Sequence, residues 1–112
     1  MLRLIDSVEI LRSLDPEMQA QTMLIFLLIA NRDPDPISMT DLARQSGVAQ
    51  SSVSRNVASL GSINRHKMPG LQLVDSYEDP KDLRKKLVKL TPSGRRIINL
   101  LENRYHDDPS TR

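Results

Sequence analysis

The sequence predicts a mainly α fold carrying one small β-hairpin. Three observations point to it. Apolar residues recur at helical spacing in five separate stretches. Strand-like patterning appears only between Leu71 and Leu90, on either side of a turn signal. Gly47 separates two short amphipathic stretches that are placed to cross as a helical pair.

The elements follow in order. Leu4, Ile5, Val8, Leu11 and Leu14 are spaced by three and four, which predicts an amphipathic helix over 2–13. Asp15-Pro16-Glu17 reads as the next helix start, with Asp as cap, Pro in the first turn and Glu at the positive end. That helix is expected from Pro16 to about Asn31. Its apolar run from Met23 to Ala30 is expected to face neighbours all round. Residues 31–36 hold two prolines and two aspartates and read as a loop, with Asp33 and Asp35 as loop residues. Ser38, with Asp41 three positions on, opens a helix over Met39–Ser46. Gly47 supplies the turn, and a helix over Gln50–Leu60 buries Val53, Val57 and Leu60. Residues 61–70 form a connector. A strand is expected from Leu71 to near Tyr77, a turn over Glu78–Asp82 and a return strand over Leu83–Leu90. Thr91-Pro92 caps a last helix to about Tyr105, and 107–112 reads as a flexible tail. Residues 1–106 are read as one domain. A helix pair joined by a tight turn and followed by a hairpin is a winged helix-turn-helix.

Composition limits what such a domain does. The 112 residues suit one modest core. Aromatics are 3% of the chain, too few for the stacking platforms of single-strand binders. There is no cysteine, which excludes disulfides, thiolate metal sites and thiol nucleophiles. The longest apolar run, Met23–Ala30, is far short of the ~20 residues a membrane span needs. No signal peptide is visible, so a cytoplasmic setting is expected. Residues 44–96 carry eleven Lys and Arg against four Asp and Glu, a local net of +7. The remainder carries five against ten, a net of −5. The basic stretch is the candidate polyanion surface.

Candidate contacts fall on the second helix of the pair and on the hairpin. Gln50, Ser51, Ser52, Ser54, Arg55, Asn56 and Ser59 read as its outer surface, of small or polar residues suited to phosphates and base edges. Gln50, Ser52 and Arg55 are the leading candidates, and Arg55 is the expected guanine or phosphate contact. No Gly-x-Ser-x-Gly elbow accompanies Ser51 or Ser52, and no paired carboxylates or phosphate loop appears, so the chain is not expected to be an enzyme. His66 and His106 lack ligand-spaced companions, and neither a metal nor a cofactor is expected.

The stretch 76–97 makes the reading more specific. Asp79, Asp82 and Arg84 stand as Asp-x-x-Asp-x-Arg, followed by Leu90-Thr91 and then Gly94. With Leu42-Ala43 upstream, this resembles the MarR family of bacterial winged-helix transcriptional regulators over roughly residues 16–100. The resemblance implies that Asp82 pairs with a wing arginine and stiffens the hairpin. It implies that Arg84 reaches a minor groove or its phosphates, with Lys81 and Lys85 beside it on the backbone. It also implies a homodimer on double-stranded DNA, joined by the terminal helices 2–13 and 92–105. Leu4, Ile5, Val8, Leu11, Ile97, Ile98 and Leu101 are the candidate interface, or else close the monomer's own core. The chain departs from the family in its short ends and its longer, more basic connector, and the short ends speak against a small-molecule effector. The expected function is sequence-specific regulation of transcription, as a repressor. A protein-interaction module and a replication or partition initiator of the same fold are the alternatives.

Overall fold

A computed structural model describes residues 2–62 and 68–106, with side chains described over 3–62 and 68–102. The elements run α1 (Leu2–Leu14), α2 (Ala20–Arg32), β1 (Ile37–Ser38), α3 (Met39–Ser46), α4 (Gln50–Leu60), β2 (Val74–Asp79), β3 (Asp82–Leu90) and α5 (Pro92–His106). The fold is α+β, with the three strands in antiparallel order β1-β3-β2. The expected tail at 107–112 and the basic residues Arg65 and Lys67 of the connector lie outside the described residues.

The core forms where α2, α3 and α4 meet the sheet. Ile25, Phe26 and Ile29 of α2 are sealed against Ile37, Leu42, Val53, Val57, Leu60, Val74 and Val88. Helix α1 packs on α5, with Leu11 and Leu101 buried. The expectation that Met23–Ala30 is enclosed on every side is corrected. Leu24 and Leu27 are 42% and 43% exposed, because α2 packs against α3, α4 and β3 on one side. A continuous apolar run carries no phase, so it did not show which side would be covered.

Three boundaries also differ from expectation. Asp15 does not cap α2. Its carboxylate accepts the Glu17 N–H at 2.9 Å and its carbonyl accepts the Met18 N–H at 3.0 Å, forming a separate turn, and α2 begins at Ala20. Ile37–Ser38, for which the sequence predicts no strand, forms one, with Ile37 opposite Val88 and Ser38 opposite Leu87. Residues 71–73 precede the first hairpin strand. Their N–H groups donate to Ser59, Gly61 and Leu60 carbonyls at 3.0, 2.9 and 2.8 Å, which satisfies backbone acceptors at the end of α4. This places the root of the hairpin directly on the C-terminus of α4.

The caps at the other joints follow the sequence. The Ser38 hydroxyl accepts the Asp41 N–H at 3.0 Å. Gly47 ends α3 in the left-handed region, with φ 71°, and donates to the Ala43 carbonyl. The Thr91 hydroxyl accepts the Gly94 N–H at 3.0 Å and donates to the Gln72 carbonyl at 2.7 Å, tying the start of α5 to the chain leaving α4.

Candidate nucleic-acid interface

Helix α4 buries Val53, Val57 and Leu60 and turns Gln50, Ser51, Ser54 and Arg55 outward. No side chain caps its N-terminus at Ala49, whose carbonyl accepts the Ser52 and Val53 N–H groups at 2.9 and 3.0 Å. The Arg55 guanidinium donates from Nη2 to the Ser52 hydroxyl at 3.2 Å, which orients it along the helix.

The hairpin formed by β2 and β3 is shaped by two aspartates. The Asp79 carboxylate accepts the Lys81 N–H at 2.9 Å and so forms the tip. The Asp82 carboxylate accepts from Arg84 twice, from the backbone N–H at 3.2 Å and from Nε at 3.1 Å. The Arg84 side chain is 92% exposed, so this contact sets its direction without burying it.

The structure brings the two halves together. An open groove of about 380 Å³ is lined by Gln50, Ser51 and Ser54 from α4, by Arg84, Lys85 and Lys86 from β3, and by Ser38, Met39 and Thr40 at the head of α3. Of the residues singled out from sequence, Gln50, Ser51, Ser54, Arg84 and Lys85 thus share one wall-to-wall site. Ser52 is half-buried beside it, Arg55 lies on the exposed face of α4, and Lys81 sits at the hairpin tip. Thr40 and Lys86 were missed. Period-two alternation places Lys86 on the same face as Val88 and Leu90, just beyond the point where the core ends. A second groove, of about 280 Å³, continues along the same wall past Ala58, Ser76 and Lys86.

Asp82 carries a pH signature. The hydrogen bond from the Arg84 side chain, then that from its backbone N–H, holds the carboxyl below its ordinary value; burial opposes them, and the Lys85 charge adds the least. A depressed carboxyl favours the folded hairpin above its unfolded value, and the advantage is lost as pH falls through the folded value. An NMR titration of the hairpin amides should therefore show an acid midpoint below that of a free aspartate. Asp82→Asn should remove the transition. A midpoint at the ordinary aspartate value would show that Arg84 is not held.

Several cations and polar residues are used elsewhere. Arg44 pairs with Asp41 at 2.6 Å. Arg95 grips both carboxylate oxygens of Asp33 from Nε at 3.2 Å, so Asp33 is not a bare loop residue but joins the end of α2 to α5. Lys89 stands over the Tyr77 ring, 5.5 Å from its centre. Asn56 is also corrected. It is not part of the outer surface of α4, because its amide is engaged by Gln21 and Thr22 of α2.

The terminal-helix residues divide. Leu11 and Leu101 are core, Val8, Ile97 and Ile98 are half-buried, and Leu4 and Ile5 are 63% and 48% exposed; Leu100, next in sequence to Leu101, is also exposed. Among the described residues no three His, Cys, Asp or Glu side chains gather as a metal site, and no helix is long and apolar enough to cross a membrane.

This arrangement of helix pair, hairpin and short third strand is shared with solved structures. The chain is similar to the PcaV transcriptional regulator from Streptomyces coelicolor, solved in complex with its natural ligand. Identity is 23% and the TM-score 0.60, over 81% of this chain and 57% of PcaV. It is similar to MepR from S. aureus, solved as a DNA complex, at 17% identity and TM-score 0.75 over 93% of this chain and 77% of MepR. It is also similar to the transcriptional regulator BldR from Sulfolobus solfataricus, at 27% identity and TM-score 0.59 over 76% of this chain and 55% of BldR. The chain thus spans less than two thirds of PcaV and of BldR. No family model matches the sequence, and no curated protein matches it. The chain has the winged helix-turn-helix fold of MarR-family transcriptional regulators.

Proposed function

We propose that this chain is a DNA-binding regulator of transcription, acting as a homodimer that represses by occupying promoter DNA. The observation that carries this reading is the groove in which the outer face of α4 meets Arg84, Lys85 and Lys86 with no carboxylate among its lining residues. A helix face of small polar residues fits into a major groove, and a cationic hairpin beside it fits the flanking phosphates or a narrow minor groove. The structural likeness to MepR, which is solved with DNA, supports the same docking. Exposed Leu4, Ile5 and Leu100 are the apolar residues assigned to the dimer contact, with Val8, Ile97 and Ile98 behind them. Two half-sites would then lie about 10 base pairs apart or a multiple of that.

The test is fluorescence anisotropy of a random pool of labelled duplexes, titrated at several salt concentrations. Affinity falling steeply with salt is the expected result, since each neutralised phosphate releases a counterion. Arg84→Ala should weaken binding to every duplex and lower the salt slope by about one. Absence of binding at low salt would overturn the reading, and an unchanged slope in Arg84→Ala would remove the hairpin from the contact.

A further inference from the structure

The polar contact between α2 and α4 joins the two helices through several hydrogen bonds, and the groove does not account for it. Among the described residues Thr22 is the buried polar side chain of the core, 9% exposed. Its hydroxyl donates to Asn56 Oδ1 at 2.5 Å, across 34 residues of sequence. Asn56 Nδ2 donates to Gln21 Oε1 at 2.9 Å and to the Ser52 carbonyl at 2.8 Å. Both amide protons and one carbonyl lone pair are therefore committed, so Asn56 has no donor left to offer a base. At about 100° per residue, Asn56 lies about 200° around α4 from Ser54, on the side turned away from the groove.

We infer that Asn56, held by Thr22, is a positioning residue that fixes how α4 presents its outer face, and through it which DNA sequence is selected. This rests on the proposed function. The buried side chains that α4 itself contributes are aliphatic: Val53, Val57 and Leu60. Packing of this kind restrains small rotations and axial slips less sharply than hydrogen bonds do, because aliphatic contacts are non-directional, and the bonds from residues 71–73 hold only the C-terminal end of α4. Two hydrogen bonds of defined geometry, from Thr22 and to Gln21, cross from α2 to this one side chain and restrain both, while the third ties Asn56 to its own helix. The consequence reaches the groove through Ser52. Its carbonyl is held by Asn56, and its hydroxyl receives Arg55. A continuous polar path thus runs from the core of α2 to the arginine on the outer face of α4. Backbone phosphates tolerate a small rotation of α4, whereas bidentate contacts to base edges do not. Loss of the clamp should therefore degrade discrimination between sequences more than it degrades affinity for DNA in general.

The experiment compares a selected preferred duplex with random duplex for the wild-type chain, Asn56→Ala, Thr22→Val and Thr22→Ser, with thermal unfolding run on each. Thr22→Val is close in shape to the original and removes only the hydroxyl, so it reports on the clamp if Asn56→Ala does not fold. The expected result is a preferred-to-random affinity ratio lower by about tenfold in Asn56→Ala and Thr22→Val, the order of one lost buried hydrogen bond. The salt slope should be unchanged in both, and Thr22→Ser, which keeps the donor, should return the ratio towards wild type. A wild-type ratio in folded Thr22→Val would overturn the inference. So would a reduced salt slope in Asn56→Ala, which would make Asn56 a phosphate contact. A wild-type chain that does not discriminate between duplexes would overturn the proposed function itself, and the inference with it.

Discussion

Gly94→Ala is expected to lower the stability of the fold by about 3 kcal/mol, at the upper end of what overpacking costs. Helix propensity alone argues the other way, since alanine in place of glycine within a helix gains about 1 kcal/mol. Geometry decides the sign. A Cβ on Gly94 would stand 2.1 Å from the Leu73 carbonyl oxygen and 3.1 Å from its carbon, both backbone atoms that cannot rotate aside. Moving Leu73 is costly because three parts of the fold meet there. Its N–H donates to the Leu60 carbonyl at 2.8 Å, its carbonyl accepts the Thr91 N–H at 3.0 Å, and its side chain is buried. For a domain of this size the change corresponds to a fall in Tm of roughly 10–20 °C. Thermal unfolding checks it directly. An unchanged Tm would mean that α5 does not seat on the chain between α4 and the hairpin.

The same joint shows why some of the structure was legible in the sequence and some was not. Features set by neighbouring residues were readable. Ser38 with Asp41, Gly47 and the Thr91-Pro92 cap act within a few positions, so spacing carries the geometry, whereas the pairing of Asp82 with a wing arginine was implied by the resemblance to the MarR family. The bounds of α4 were readable because small polar residues and buried valines alternate at helical period. What was missed depends on distant partners. Ile37–Ser38 is a strand only because β3 arrives 50 residues later to pair with it, and two residues hold no period. Asp33 and Arg95 are 62 residues apart, and neither is unusual in its own surroundings. Asn56 was placed on the wrong side of α4 because it is polar. Its partners on α2 lie within an apolar helix whose facing could not be phased, the same ambiguity that hid the exposure of Leu24 and Leu27. The groove itself was legible only in its parts. The residues were named from two motifs, while their meeting on one wall follows from residues 71–73 docking on the end of α4.

Arg55→Ala is the prediction with the largest expected effect on binding. Arg55 projects from the exposed side of α4 one position beyond Ser54, whose side chain lines the groove, and its guanidinium is aligned by the Ser52 hydroxyl rather than spent on a carboxylate. Among the described residues it is the arginine of the basic stretch carried by α4 itself. A guanidinium in that place presents a planar pair of donors, which matches the O6 and N7 acceptors of guanine. Loss of such a contact costs about 1–3 kcal/mol against the preferred duplex, roughly 5- to 150-fold in affinity. The control is the same substitution measured on duplexes carrying each alternative base at every position of the site. If Arg55 reads a base, Arg55→Ala equalises affinity across the four bases at one position and leaves the others discriminated. If it rests on a phosphate, affinity falls by a similar factor on all duplexes and the salt slope drops by about one. Equal affinity and equal preference in the variant would take Arg55 out of the interface and leave the groove lined by Gln50, Ser51 and Ser54 as the reading surface of α4.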